Sequence, residues 1–133
     1  MTGAPAASGS HLQGLRVLIA EDQYVIASEL RRVLEREGII IVGPFSTLAA
    51  ALAASLEPVD VALLDVNLHG LAVFALADDL TRRSIPYGFA TAYEAAALPR
   101  AYQAVPRVEK PVAPAALLHL LGLLSGRPAA PAR

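Results

Sequence analysis

The sequence predicts a doubly wound α/β fold, a five-stranded parallel sheet with helices packed on both faces. Three observations lead there. Short apolar runs (LRVLIA, IIIVGP, VDVALLDV, IPYGFAT and a stretch around 105–109) recur along the chain. Between them lie segments whose apolar residues fall at three- and four-residue spacing, the mark of amphipathic helices. The runs themselves are nearly continuous in apolar residues, as strands covered on both faces are.

The elements follow in order. Residues 15–20 form a strand that ends at Glu21 and Asp22. The next segment, 23–38, sets Ile26, Leu30, Val33 and Leu34 on one helical face, with Gly38 as terminator. A second strand, 39–44, is closed by Gly43 and Pro44. Ser46 can cap a helix over 47–56, striped by Leu48, Leu52 and Leu56. The third strand, 59–66, carries Asp65 near its end, and a helix from Leu71 to Arg83 turns Val73, Leu76, Ala77 and Leu80 inward. The fourth strand, 85–91, ends at Thr91, and a last helix, 114–125, presents Leu117, Leu120, Leu121 and Leu124 to the core. Five β/α units are the count of a flavodoxin-like domain, with strand order 2-1-3-4-5.

The 133 residues suit one domain with a proper core. We expect that domain at 14–125, with flexible tails at 1–13 and 126–133. The N-terminus has neither the basic start nor the apolar block of a secretory signal, and no apolar run reaches the roughly 20 residues of a membrane span. Eleven basic and twelve acidic residues nearly balance, which argues against a dedicated nucleic-acid or anionic-membrane surface. The absence of cysteine removes disulfides and thiolate metal sites and fits a cytoplasmic protein.

Ligands of open parallel sheets sit beyond the carboxyl ends of the strands. Gathered there are Glu21 and Asp22, Asp65, Thr91 and Lys110, from four strand ends. Three converging carboxylates repel one another unless a cation neutralises them, and a hard, oxygen-seeking ion such as Mg2+ suits the set. Beside such an ion Asp65 can stay ionised and act as a nucleophile toward phosphorus. Lys110 and Thr91 can then take the remaining charge on a transferred phosphoryl group.

Each residue also has a simpler reading. Glu21 and Asp22 could serve only the dipole of the following helix. Asp65 could be a turn residue, Thr91 a β-former and Lys110 a surface charge. All five would have to fall at strand ends by accident, so the site reading prevails. Elsewhere the simple reading stands. Asp78 and Asp79 read as a solvated helix face, and His11, His69 and His119 lack ligand spacing. Leu118 and Leu123 flank the core stripe of the last helix, partly buried or extending a partner surface.

The set AED at 20–22, LLDVN at 63–67, FAT at 89–91 and EKP at 109–111 resembles the receiver domain of two-component response regulators. The resemblance covers nearly all of 14–125. It implies a phosphoryl group accepted on Asp65 from a phosphohistidine of a sensor histidine kinase. It implies Mg2+ held by Asp22, Asp65 and the backbone carbonyl of Asn67, with Glu21 assisting through water. Thr91 would approach the phosphoryl group, Lys110 would pair with it, and the Lys110–Pro111 bond would be cis. FATAY at 89–93, after IPYG, is similar to the FATGUY subgroup of single-domain receivers, with Ala92 in place of its glycine. That similarity implies a kinase of the HWE/HisKA2 kind.

Two departures from the family stand out. Arg107 occupies the position, three before the lysine, where most receivers carry an aromatic switch residue. Only 18 residues separate Thr91 from Lys110, and they include Pro99 and Pro106, so the fourth helix is expected to be short or mobile. The leading expectation is a single-domain phosphoacceptor, monomeric or weakly dimeric, that signals by protein contact or passes phosphate along a relay. Alternatives are a degenerate receiver acting as a phosphorylation-independent interaction module, and a small Mg2+-dependent phosphatase using Asp65. Asn67 and Tyr93, two residues past the aspartate and the threonine, are expected to influence the lifetime of the phosphoryl group.

Overall fold

The computed structural model describes residues 10–54, 56–92 and 95–127. The main sheet uses β1 (Arg16–Ala20), β2 (Ile40–Phe45), β3 (Val61–Leu64), β6 (Tyr87–Thr91) and β7 (Arg107–Glu109). They lie in the order β2-β1-β3-β6-β7, every neighbouring pair parallel, which is 2-1-3-4-5 when sheet strands alone are counted. The α-helices are α1 (Tyr24–Arg36), α2 (Leu48–Ala54), α3 (Phe74–Arg82) and α4 (Pro114–Ser125).

Alternation along the strands divides the core in two. Val17, Ile19, Val61, Leu63, Ala90 and Val108 face the helices α1 and α4, meeting Leu30, Val33, Leu34, Leu117, Leu120 and Leu121. Leu18, Ala20, Ala62, Leu64 and Phe89 face the other way, onto Ala51 and Ala54 of α2 and Leu76, Ala77 and Leu80 of α3. A strand's side chains point alternately up and down, so apolar runs without alternation are what two covered faces require.

Several expected boundaries move. The helix expected from Leu71 begins at Phe74, because Leu71–Ala72 (β5) pairs antiparallel with Asn67–Leu68 (β4). The turn between them, His69 and Gly70, has positive φ at both residues, 49° and 84°, as a two-residue type I′ hairpin demands. α2 ends at Ala54, so Leu56 falls outside the helical stripe and is exposed, while Leu48 and Leu52 pack on the core. Thr47 rather than Ser46 caps that helix, its hydroxyl accepting from the Ala50 N–H at 3.2 Å. Strand β2 continues through Gly43 and Pro44 to Phe45. It does so by a register irregularity opposite Leu18–Ala20, with Gly43 at φ 113° and a cis Gly43–Pro44 bond. A Cβ at Gly43 would lie 2.9 Å from the Ile19 carbonyl oxygen, so a side chain has no room.

The packed body also starts before residue 14: Leu12 is fully buried in the α1/α4 core, and the Arg127 guanidinium donates to the Gln13 carbonyl at 3.1 Å. Residues 1–9 and 128–133 of the expected tails lie outside the described residues. Between β6 and β7 the chain makes two single 3-10 turns, Ala95–Ala97 and Arg100–Tyr102. The short fourth helix expected from the proline spacing takes this form.

Candidate functional site

Only three polar or charged side chains are buried among the described residues: Glu21, Asp65 and Thr91, at 2%, 8% and 0% exposure. All three stand at the carboxyl edge of the sheet. Burial of a polar group costs free energy unless it is partnered, so a fold that collects three at one edge spends stability there. Backbone bonds register the strand ends: the Asp65 N–H donates to the Ala20 carbonyl at 2.8 Å and the Lys110 N–H to the Thr91 carbonyl at 3.1 Å. The Lys110–Pro111 bond is cis.

Lys110 is the hub. Its Nζ donates to Asp65 Oδ2 at 3.0 Å and, more weakly, to Gln23 Oε1 at 3.4 Å. It also pairs with Glu21 Oε1 at 2.8 Å. Burial alone would lower the Lys110 pKa, but its bonds to Glu21 and Asp65 outweigh that and raise it, so the ammonium stays charged. Burial pushes the Glu21 carboxyl up; the bonds from Lys110 and the Gln23 N–H offset this in part, and the Asp65 charge adds to the rise.

The remaining carboxylate oxygens are held by backbone. Glu21 Oε2 accepts from the Gln23 N–H at 3.1 Å, Asp65 Oδ1 from the Asn67 N–H at 3.3 Å, and Asp22 Oδ2 from the His69 N–H at 2.8 Å. Ligand oxygens of Glu21, Asp22 and Asp65 lie within 4.8 Å of one another. A cluster of three carboxylates, a donor set made of oxygens alone, fits a hard cation such as Mg2+. Beside it opens a cavity of about 250 Å³ lined by Asp22, Gln23, Asp65, Asn67, Thr91, Ala92 and Lys110. All six residues picked from the sequence, Glu21, Asp22, Asp65, Asn67, Thr91 and Lys110, are therefore at one place. Tyr93 lies outside the described residues.

Two participants escaped the sequence reading. His69, dismissed for want of ligand spacing, is carried to Asp22 by the β4–β5 hairpin; its backbone N–H makes the contact and its ring stays exposed. The His-Gly pair between short apolar flanks was the available signal. Gln23 was read as the first residue of a helix, yet its side chain makes no capping bond and turns to Lys110. Asp78 and Asp79 are also more than a solvated face: Asp78 accepts from the Tyr102 hydroxyl at 2.7 Å, and Asp79 pairs with Arg82 and Arg83. Arg107 pairs with Glu109 at 3.3 Å.

No curated protein matches the chain. Among solved structures, SdrG from Sphingomonas melonis Fr1 is 33% identical, with a TM-score of 0.74 over 84% of this chain and 96% of that one. The BeF3-activated conformation of SdrG from Pseudomonas melonis Fr1, also 33% identical, gives 0.72 over 83% and 95%. The response regulator PhyR from Brucella abortus is 27% identical, at 0.73 over 92% of this chain and 53% of that one. The family model for the response regulator receiver domain matches residues 17–121, which span both faces of the core and every residue of the acidic site, and the chain belongs to that family.

Proposed function

We propose that this receiver accepts a phosphoryl group on Asp65 from a phosphohistidine of a sensor histidine kinase and signals through protein contacts or a phosphorelay. The observation that carries the reading is the shared position of Asp65 and Lys110. The nucleophilic carboxylate is held 3.0 Å from the Lys110 ammonium, both lining a cavity large enough for a phosphoryl group. Asp22, Asp65 and the Asn67 carbonyl are the ligands we assign to Mg2+, with Glu21 acting through water. When bound, the ion supplies neutralisation of charge on the phosphoryl oxygens. Lys110 then leaves its pairing with Asp65 for a phosphoryl oxygen, and the Thr91 hydroxyl, at the wall of the same cavity, donates to another.

A solved relative supports the reading. SdrG has a BeF3-activated conformation, and this chain is 33% identical to it. The FATAY segment supports a partner kinase of the HWE/HisKA2 kind, and a chain free of cysteine suits a cytoplasmic location for the exchange. Among the described residues no helix is long and apolar enough to cross a membrane. The test is incubation with Mg2+ and acetyl phosphate. Intact mass should rise by one phosphoryl group in the native chain and stay unchanged in Asp65→Asn. A chain that gains no mass, and shows no Mg2+-dependent response to beryllofluoride, is an interaction module instead.

A further inference from the structure

Gln23 is the least expected member of the site. It stands at the N-terminal boundary of α1, and its side chain makes no capping bond there. Its carboxamide oxygen instead lies 3.4 Å from Lys110 Nζ, within the same ammonium's reach as Asp65 Oδ2 at 3.0 Å. The residue lines the cavity that contains Asp65 and Thr91. It is also exposed, so water reaches it.

We propose that the Gln23 carboxamide orients the water that hydrolyses the phosphoryl group on Asp65, and so sets how long the signal lasts. The inference rests on the phosphoacceptor reading above. A carboxamide has two acceptor lone pairs and two N–H donors. One lone pair can stay on Lys110 while the other receives a proton of the water, and the N–H can face a phosphoryl oxygen. An amide at such a place orients the attacking water in other phosphoryl-transfer sites, where positioning supplies most of the catalysis. In the step itself the water oxygen forms a bond to phosphorus and the bond from phosphorus to the Asp65 oxygen breaks. Its electron pair returns to the carboxylate, and both protons of the water leave with the inorganic phosphate, as dihydrogen phosphate. The cavity of about 250 Å³ has room for the phosphoryl group and several waters, each taking about 30 Å³.

The measurement compares native chain, Gln23→Ala and Gln23→Met, loaded from acetyl phosphate with Mg2+ and then freed of donor. Formation and loss of the adduct are followed separately by intact mass and phosphate release. Formation needs no water, so its rate should change by less than the rate of loss in both variants, while loss should slow roughly tenfold in both. Methionine keeps the length and bulk of glutamine but not its amide. Native-rate loss in Gln23→Met would therefore assign the effect to shape and overturn the proposal. So would unchanged loss in Gln23→Ala, or formation and loss slowed by the same factor, which is the mark of a structural or docking role. If the native chain forms no adduct, the phosphoacceptor reading falls first and this inference with it.

Discussion

The ring of Tyr102 lies parallel to that of Phe74, centroids 4.3 Å apart and planes 13° from coplanar, and its hydroxyl donates to Asp78 at 2.7 Å. Phe74 in turn meets Phe89 edge-on at 6.4 Å, two residues before Thr91 on the same strand. Tyr102 thus ties the segment that replaces a fourth helix to α3, beside the buried Leu98 of the same segment, at the far end of a chain of rings that begins beside the site.

Removing only the Tyr102 hydroxyl should cost little and removing the ring more. Tyr102→Phe loses one hydrogen bond to a partly exposed carboxylate, about 1 kcal/mol. Tyr102→Ala also loses the stacked pair and its buried area, about 2 kcal/mol in all. The Asp78 bond, then burial, pushes the Tyr102 hydroxyl up to about 12 from an ordinary 10.0. The unfolded chain sheds that proton first, so the stability it contributes is whole below pH 10.0 and lost as pH climbs through about 12. Ultraviolet titration of tyrosinate, native against Asp78→Asn, reads the shift; identical curves would contradict it.

Lys110 is the single lysine of the chain, which makes it addressable. Lys110→Met should destabilise the fold by about 3 kcal/mol without divalent ions, since it leaves two buried carboxylates uncompensated. Mg2+ should restore much of that loss by binding the folded state. Thermal melting with and without Mg2+ checks both; a variant whose melting ignores Mg2+ would count against the metal site. An amine-acylating reagent should likewise modify Lys110 slowly in the fold and quickly once it is unfolded.

Glu21 gives a pH dependence of known sign. Burial raises its pKa above the ordinary 4.5, so the folded chain holds this proton to higher pH than the unfolded one. Its contribution to stability is therefore present below 4.5 and lost as pH rises through the higher folded value. Metal-free Glu21→Gln should lack that part of the pH dependence, and Mg2+ should bind the native chain more tightly as the proton leaves. Melts across pH, native minus variant, should slope downward from 4.5. A flat difference would contradict the assignment.

With Arg107 paired to Glu109 in place of an aromatic switch, the response to phosphorylation should fall on the 95–106 segment. Amide exchange there should change on adding beryllofluoride with Mg2+, and Thr91→Ala should abolish the change. Identical exchange in both states would place the output elsewhere.

The strands were legible because two-sided burial leaves an unbroken apolar run, and Asp65, Thr91 and Lys110 were legible because each interrupts or ends such a run. What escaped depended in part on backbone conformation at two residues, whose φ of 49° and 84° lies far from the roughly −63° of a helix. The β4–β5 hairpin hid at the start of a helical pattern, since the stripe of Val73, Leu76, Ala77 and Leu80 follows directly on Leu71; the positive φ of His69 and Gly70 turns the chain there instead. Gln23 was illegible for another reason. A glutamine at a helix start has several local partners, and its choice of Lys110, 87 positions away, is made by the fold.

The most direct test is to locate the phosphoryl group by residue. After loading from acetyl phosphate with Mg2+, borohydride reduces an aspartyl phosphate to homoserine, which peptide mass spectrometry reads at a single position. We predict homoserine at position 65 and nowhere else. Homoserine at position 22, or a loaded chain with no reducible aspartate, would contradict the account.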